Sequence, residues 1–266
     1  MMTDSTTLTI GPLRVTVSTA EPALQAELQA AYRAFIVDEA PVSYTLTVHV
    51  AYTAGPAPAE WPFTFDHGVL RFTAAHYSGL IDLTAQQAHL NFTAPHAFEP
   101  IDYFVRTALA LLAFEAGGLL FHAAGLARRG HGYAFFGYSG SGKTTVARVS
   151  SDSIILNDDL VVLLPQASQW WMYASPFSNP TQAPPAGPQS VPLMALYRLV
   201  QDRRVFVEPL DPAAALAEVI ASSPVVNADP HRTADLLLRA EQIATTVPVR
   251  RLHFLPDPSF WSVIQT

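Results

Sequence analysis

Nine consecutive residues in the middle of the chain combine glycines, hydroxyl side chains and one lysine. Residues 137–145 read G-Y-S-G-S-G-K-T-T and fit the pattern G-x4-G-K-[ST] at every position. Glycines allow backbone conformations that other residues avoid, so successive N–H groups can turn inward and form a nest for an anion. A helix is expected to begin near Lys143, and its unpaired N–H groups add to that nest. The residues predicted to bind a nucleotide are Gly137, Ser139, Gly140, Ser141, Gly142, Lys143, Thr144 and Thr145.

Lys143 is the only lysine among the 15 lysine and arginine residues of the sequence. Elsewhere the chain uses arginine wherever it needs positive charge. A compact ammonium suits a loop built around one point charge, whereas the planar guanidinium of arginine does not. We expect Lys143 to reach the β- and γ-phosphates and the Thr144 hydroxyl to lie on Mg²⁺. The alternative is a glycine-rich turn with a solvated lysine.

Two adjacent acids, Asp158 and Asp159, come directly after Asn157 and the apolar run 154–156. A carboxylate on a strand beside a phosphate-binding loop can hold Mg²⁺, and a second one can accept the proton of an attacking hydroxyl. Paired acids in an apolar stretch are unfavourable unless a cation balances them. The alternative is a solvated turn between two strands. Only a short helix is predicted between the loop and the pair, which argues against a Ras-like or motor-type ATPase.

His122 lies on a predicted strand ahead of the loop. Taken alone, a histidine in an apolar segment is more often a core residue with its hydrogen bonds satisfied than a functional one. No H-x-x-x-H or similar metal-binding spacing occurs in the sequence. His122 is therefore a candidate only because the glycine-rich residues and the acid pair come after it along the chain.

Composition narrows the class of protein. The 266 residues include no cysteine, which excludes disulfides, thiolate zinc sites and a cysteine nucleophile. The net charge is −7 and no basic cluster exceeds a pair, so a nucleic-acid partner is not expected. Residues 1–12 lack the pattern of a signal peptide, and charges and glycines interrupt the apolar region 105–127. We expect a cytoplasmic protein with no membrane span.

Hydrophobic periodicity divides the chain into two halves. Alternation with a period of two predicts a β-rich first half with one helix at 21–35 and a loop at 53–62. Its predicted strands are 8–18, 43–51, 69–73, 79–84 and 87–93. The predicted domains are residues 1–97, a β-rich N-terminal domain, and residues 98–266, a nucleotide-binding domain.

The second half is predicted to mix helices and strands. A helix at 99–116 is succeeded by antiparallel strands at 119–127 and 133–136, a helix at 143–150 and a strand at 154–164 centred on residues 157–159. The proline-rich segment 175–192 is predicted to be irregular. Strands 196–200 and 205–208 are predicted to form a hairpin, and 249–255 a further strand. Asp211, Asp229 and Asp257 each precede a proline and are predicted to open helices.

These residues together resemble the HPr kinase/phosphorylase family, which shares its nucleotide fold with phosphoenolpyruvate carboxykinase. That family has a histidine on a strand, a second strand, the phosphate loop and then an Asp-Asp pair; here these are His122, residues 137–144, and Asp158 with Asp159. The strings 120–124, 138–145, 156–159 and 249–261 look most like the HPr-kinase-like proteins of peptide-modification clusters, which include lasso-peptide precursor kinases. The resemblance implies an α/β chain, α+β overall, with a P-loop domain of the HPr-kinase/phosphoenolpyruvate-carboxykinase type after the β-rich domain.

The resemblance also implies roles. Asp159 would accept the proton of a hydroxyl, Asp158 would assist it or the metal, and His122 would neighbour the phosphates. Thr144 and Asp158 would hold Mg²⁺, and ATP would donate its γ-phosphoryl group to a peptide or protein serine. The family's later Glu/Arg/Gly signature is not found here; Glu208 with Arg198, Arg203 or Arg204 could take its place. Two alternatives stay open, a kinase for a small metabolite and a non-catalytic nucleotide-binding module; an oligomer is compatible with either.

Overall fold

The structure is a computed structural model that describes residues 4–37, 41–53, 55, 61–66, 68–94, 98–177 and 187–264. The chain forms two compact units, the first comprising Met1–Ala116 with Asp229–His231 and the second Gly117–Ala228 with Arg232–Thr266. Over the described ranges the architecture is mixed α/β, with two sheets and five α-helices. The α+β class predicted from the sequence agrees with this coarse description. No helix in those ranges is long and apolar enough to cross a membrane.

The first unit contains a seven-stranded sheet and two helices. Its strands are β1 (Asp4–Ile10), β2 (Leu13–Thr19), β3 (Tyr44–Tyr52), β4 (Trp61–Asp66), β5 (Val69–Ala74), β6 (Tyr77–Asp82) and β7 (Gln87–Phe92), and its helices are α1 (Pro22–Tyr32) and α2 (Phe98–Glu115). The strand order is β1-β2-β3-β7-β6-β5-β4. Strand β3 pairs in parallel with β2 and β7, and every other pairing in this order is antiparallel.

Two predictions for this unit were wrong in detail. The segment 8–18 was predicted as one strand but forms the hairpin β1–β2, because Gly11 takes a φ of 55° and Pro12 cannot donate to a ladder. The predicted loop 53–62 falls mostly outside the described residues, and Trp61 already pairs with Thr73 as part of β4.

Helix α2 packs on strands of the first sheet and belongs to that unit. The sequence placed the domain boundary between residues 97 and 98, ahead of this helix, whereas the compact units divide after Ala116. The helix buries an apolar face that includes Phe104, Val105 and Ala108. Because α2 directly precedes the strands that carry the glycine-rich loop, its sequence position suggested the second domain.

Among its described residues, the second unit contains eight strands and three α-helices. The strands are β8 (Leu119–Arg128), β9 (His131–Phe136), β10 (Ile154–Asn157), β11 (Leu160–Gln166), β12 (Gln169–Tyr173), β13 (Ser190–Gln201), β14 (Phe206–Pro209) and β15 (Val249–Phe254). The helices are α3 (Lys143–Val149), α4 (Pro212–Ala221) and α5 (Thr233–Thr246), and a 3₁₀ helix, Pro258–Ser262, comes after β15.

The pairings of this sheet close on themselves. Strand β8 pairs with β9 and β11, β12 joins β11 to β13, and β13 pairs with β9 in turn. Strand β10 pairs with residues 125–127 of β8. Strand β15 pairs with β13, and β14 pairs with the other edge of β15. The predicted antiparallel pair at 119–127 and 133–136 is confirmed as β8 and β9. Strand β12 was not predicted.

Three further predictions in this unit need correction. Segments 196–200 and 205–208 do not form a hairpin, because β15 lies between β13 and β14. The strand predicted at 154–164 is interrupted at Asp158 and Asp159. Asp211 caps α4 as predicted, but Asp229 accepts from the N–H of His231 in a 3₁₀ turn, and α5 begins only at Thr233. Asp257 opens a 3₁₀ helix. Residues 178–186 of the proline-rich segment lie outside the described residues.

The core beneath α3 fixes where the loop before this helix lies. Val146 and Ala147 are buried against Tyr133 and Phe135 of β9 and Phe254 of β15. The aromatic rings pack edge-on and offset; Phe135 lies 5.7 Å from Phe260 between ring centroids. A short helix of seven residues has little intrinsic stability, so this tertiary contact holds it in place.

Candidate functional site

Strand register brings the predicted site residues together. Ala123 of β8 pairs with Phe136, the last residue of β9, and the preceding residue His122 pairs with Leu160, the first residue of β11. The loop that leaves β9 and the turn that enters β11 therefore meet at one point of β8. They line a cavity of about 390 Å³ together with His122. Its lining residues are His122, Ser139, Gly140, Gly142, Lys143, Thr144, Thr145, Asp158, Asp159 and Gln201.

The loop at residues 137–145, hereafter the glycine loop, requires glycine at three positions. Gly137, Gly140 and Gly142 have φ angles of 150°, 78° and 107°, which L side chains rarely adopt. A Cβ on Gly142 would lie 2.5 Å from the Phe254 ring, and a Cβ on Gly137 would lie 2.9 Å from Ser141 Oγ. A Cβ on Gly140 would meet open space. Gly137 and Ser141 support the loop and do not line the cavity.

The Lys143 side chain folds back toward the start of the glycine loop. Its Nζ donates to the carbonyl oxygen of Gly137 at 2.9 Å and to that of Tyr138 at 3.4 Å. Burial lowers the pKa of the Lys143 ammonium, as does the charge of Arg198, while Asp159 opposes both. The side chain is a nearly buried cation held by two loop carbonyls, and an anion that binds beside it would compensate its charge.

Asn157 fixes the backbone on which both acids sit. Its buried amide donates to the carbonyl oxygens of Ser175 and Phe177 at 3.1 and 2.6 Å. Its Oδ1 accepts from the N–H groups of Asp159 and Leu160 at 2.7 and 2.8 Å. All the hydrogen-bonding capacity of the amide is therefore used to hold a turn of the Asx type. This turn ends β10, turns the chain at the two acids and starts β11.

Asp158 is a buried acid with an oxygen that has no partner. The residue is 4% exposed, and its Oδ1 makes no hydrogen bond among the described residues. Burial raises the pKa of Asp158 to about 6, and the neighbouring charge of Asp159 adds to the rise. A charged carboxylate in this position is unfavourable until a cation or a donor reaches it.

Asp159 and His122 form a pair across two strands. His122 Nε2 lies 3.1 Å from Asp159 Oδ1, and the side chains are 44% and 17% exposed. The backbone N–H of His122 donates to the carbonyl of Ser222 at 2.8 Å, which fixes that end of β8. A carboxylate paired with an imidazole at the mouth of a cavity can accept a proton from a hydroxyl.

Two residues of β13, Gln201 and Arg198, were not predicted to contact the glycine loop. Gln201 Nε2 donates to the carbonyl oxygen of Gly140 at 2.7 Å. Arg198 pairs in parallel register with Phe136, so its guanidinium reaches the start of the loop and lies over the Tyr138 ring. Only the register of β13 reveals these contacts, so a pattern of residues along the chain could not have found them. Arg198 had been considered for another role, as a partner of Glu208.

Glu208 contacts Arg251 and His253, not Arg198. Its carboxylate accepts from Arg251 Nη1 and lies 3.4 Å from His253 Nε2. These contacts lower the pKa of Glu208, the Arg251 hydrogen bond first among them. Arg198 bonds to Glu218 of α4 instead, at 3.0 Å. The structure gives the two residues different partners.

The cavity offers three kinds of group to a ligand. The glycine loop and Lys143 suit an anion, Asp158 and Thr144 offer oxygen atoms to a divalent cation, and Asp159 offers a proton acceptor. Within the part of the chain that the structure describes, no three histidine, aspartate or glutamate side chains cluster as a metal site. Mg²⁺ is commonly bound by few protein ligands, with phosphate oxygens and water completing its coordination.

Neither a protein-family model nor a curated protein matches the sequence.

Proposed function

We propose that the second unit binds ATP with Mg²⁺ in this cavity and transfers the γ-phosphoryl group to a hydroxyl, with a peptide or protein serine as the acceptor. One observation carries the proposal. The lysine, the acid pair and the histidine come from three separate segments, and all of them line one cavity beside the glycine loop. A solvated Asp-Asp turn and an isolated glycine-rich turn would not need to meet.

The nucleotide's phosphates would replace the carbonyl partners of Lys143. The ammonium is held at the loop by the carbonyls of Gly137 and Tyr138, and on nucleotide binding it would exchange these partners for β- and γ-phosphate oxygens. Gly140 and Gly142 line the cavity and carry no Cβ, so phosphate oxygens could approach the loop backbone closely there. The negative charge of the triphosphate would also offset the burial that lowers the pKa of Lys143.

The residues present fit a magnesium ion. Asp158, whose buried Oδ1 has no partner among the described residues, is one of the residues that line the cavity, as is Thr144. These two side chains would hold Mg²⁺ between them. When bound, the ion would neutralise charge on the β- and γ-phosphates.

The transfer itself needs one bond to form and one to break. The acceptor oxygen forms a bond to the γ-phosphorus while the bond from that phosphorus to the β–γ bridging oxygen breaks, and ADP leaves. The acceptor's proton passes to the Asp159 carboxylate, which His122 holds at 3.1 Å. Asn157 fixes the Asp159 backbone, so this group is positioned before the acceptor arrives.

The likeness to HPr-kinase-like proteins supports the same proposal. The order of a histidine strand, a glycine loop and an acid pair is that of the HPr kinase/phosphorylase family, and in this chain the three parts face one cavity. We propose that the second unit is an HPr-kinase-like nucleotide domain, and that its acceptor is not HPr, because the family's later Glu/Arg/Gly signature is not found.

The decisive experiment separates binding from transfer. Wild type, Asp159→Asn and Lys143→Ala would be titrated by calorimetry with a non-hydrolysable ATP analogue and Mg²⁺, and assayed with γ-labelled ATP on a serine-peptide array and a set of small hydroxylated metabolites. We expect Asp159→Asn to keep its affinity within about threefold and to lose about 100-fold or more in transfer rate. Lys143→Ala should lose most of its affinity for the nucleotide.

A matched control is available in the same region. Asp152 is an exposed acid whose carboxylate lies 4.0 Å from Arg128, so Asp152→Asn should change neither readout. Transfer to metabolites alone would favour the small-molecule kinase. Nucleotide binding without any transfer by the wild type would favour the non-catalytic module, and wild-type rates in Asp159→Asn would remove this residue from the mechanism.

A further inference from the structure

The second residue of the glycine loop is an exposed aromatic side chain held by a fixed cation. Tyr138 is 72% exposed, the highest value among the exposed large hydrophobic residues of the described chain. The Arg198 guanidinium carbon lies 4.5 Å from the centroid of the Tyr138 ring. Arg198 is itself anchored, because its Nε donates to Glu218 Oε1 at 3.0 Å and its Nη1 to the Leu199 carbonyl at 2.6 Å.

This arrangement leaves one ring face open and fixes the ring's direction. A guanidinium can cover only one face of a tyrosine ring. With most of the residue exposed, the opposite face is in contact with solvent. An exposed tyrosine on a glycine-rich loop would ordinarily sample several rotamers, but stacking on an anchored arginine favours one of them. Tyr138 is therefore preorganised for a contact that none of the described residues makes with its open face.

The contact would be made at the phosphoryl-transfer end of the cavity. The Tyr138 carbonyl accepts from Lys143 Nζ at 3.4 Å, and under the proposed function that ammonium meets the β- and γ-phosphates. The base of the nucleotide lies at the other end of the triphosphate. Under the proposed function, the loop backbone at Tyr138 therefore adjoins the γ-phosphate end of the nucleotide, and the exposed Tyr138 ring extends from that backbone.

We propose that Tyr138 docks the acceptor, and that the acceptor is a polypeptide segment with an aromatic, proline or aliphatic side chain within a few residues of the serine. This inference rests on the proposed function. The His122 side chain, which pairs with Asp159, is also 44% exposed, so both the proposed docking residue and this pair are open to solvent. An apolar or aromatic side chain stacks well on a ring face, whereas a second cation would be repelled by Arg198 on the opposite face.

A displayed library of random peptides with a central serine tests the proposal. The full chain is immobilised with Mg²⁺ and a non-hydrolysable ATP analogue, and retained peptides are sequenced. We expect the wild type to enrich aromatic, proline or aliphatic residues within three positions of the serine, and Tyr138→Ala to lose about three- to tenfold of that enrichment. Tyr138→Phe keeps the ring and should retain it.

Tyr103 supplies the matched control. It is 55% exposed and also carries an arginine over its ring, with the Arg106 guanidinium carbon 5.2 Å from the centroid. Tyr103→Ala should leave the selection unchanged. The proposal is overturned if the wild type enriches no such peptides, or if Tyr138→Ala enriches them as well as the wild type does.

Calorimetry with the same nucleotide analogue distinguishes a failure of the proposed function from a failure of the docking role alone. Tyr138→Ala should bind the analogue within about twofold of the wild type, because its carbonyl and the loop glycines are unchanged. A wild type that binds no nucleotide refutes the proposed function, whatever the peptides do. A wild type that binds nucleotide but shows no selection dependent on Tyr138 refutes only the docking role.

Discussion

Asp158 illustrates, at the scale of one residue, how a group proposed to hold a metal ion can work against folding. Its pKa is raised from 3.8 to about 6 because burial disfavours the charged carboxylate. The folded chain therefore binds a proton more tightly at this position than the unfolded chain does. Between these two pKa values the free energy of unfolding falls as the pH rises, and above about 6 the full penalty is present.

Replacing Asp158 by asparagine should relieve this penalty. We expect Asp158→Asn to raise the free energy of unfolding by about 2 kcal/mol at pH 8 and by almost nothing at pH 4, where the wild-type carboxyl is already protonated when folded. Urea unfolding between pH 4 and pH 8, with a chelator present, measures the difference. The exposed Asp152→Asn is the control, and a pH-independent difference for Asp158→Asn would contradict the assignment.

Residues of the site differ in how far the sequence could reveal them. Lys143, the loop glycines and the acid pair fit a local pattern whose chemistry is set by neighbours along the chain. His122 was a candidate only through its order in the sequence, and the register of β8 with β11 places it against Asp159. Gln201 and Arg198 carry no local signal, because they reach the loop through the pairing of β13 with β9 and β15.

At the scale of elements, the glycine loop depends on a strand from the end of the chain. Gly142 and Gly140 share a positive φ, but only at Gly142 would a Cβ strike the ring of Phe254 on β15. Comparing substitutions at these two glycines therefore separates the cost of backbone strain from the cost of steric overlap. It also shows why β15 matters to a loop that lies more than 100 residues earlier in the sequence.

Alanine at the two glycines should have unequal effects. Gly140→Ala is expected to cost about 1–2 kcal/mol from the left-handed backbone alone, and Gly142→Ala roughly 2 kcal/mol more from overpacking against Phe254. Phe254→Leu in the Gly142→Ala background should recover part of that excess. Denaturant unfolding of the four chains checks this, and equal costs for the two glycines would contradict the contact.

Whether an element's partners lie nearby or far away in the sequence explains which elements were predictable. Strands β8 and β9 and helix α3 are neighbours in sequence and in space, so hydrophobic periodicity and turn residues sufficed. The hairpin predicted at 196–200 and 205–208 was wrong because β15, which arrives later in the chain, inserts between β13 and β14. Pairing over long sequence separations leaves no trace in a local pattern.

At the scale of the whole molecule, the chain has two compact units with separate buried cores. Leu46, Val48 and Leu90 are buried in the first unit, and Phe135 and Leu252 in the second. The coarse α+β class could be predicted from the change of periodicity along the sequence. The place of α2 could not, because a helix's partners depend on which sheet its apolar face covers.

Two units with separate cores should respond differently to a ligand that binds one of them. In scanning calorimetry we expect two transitions, of which Mg²⁺ with a non-hydrolysable ATP analogue at about 100 times its Kd raises only the one from the second unit. A gain of about 2.7 kcal/mol corresponds to roughly 5–10 °C for a unit of this size. Leu90→Ala should lower the other transition and so assign it. A parallel shift of both transitions would contradict this picture.

The solitary lysine has a practical consequence for chemists. Acylating reagents that consume primary amines have a single side chain to modify, and that side chain sits against Gly137 and Tyr138 at the mouth of the site. An anion bound there would shield Lys143 and lower its acylation, and mass spectrometry of the Lys143 peptide would distinguish this from acylation of the N-terminal amine. Lys143 therefore offers a native reporter of occupancy that needs no tag, fluorophore or substituted residue.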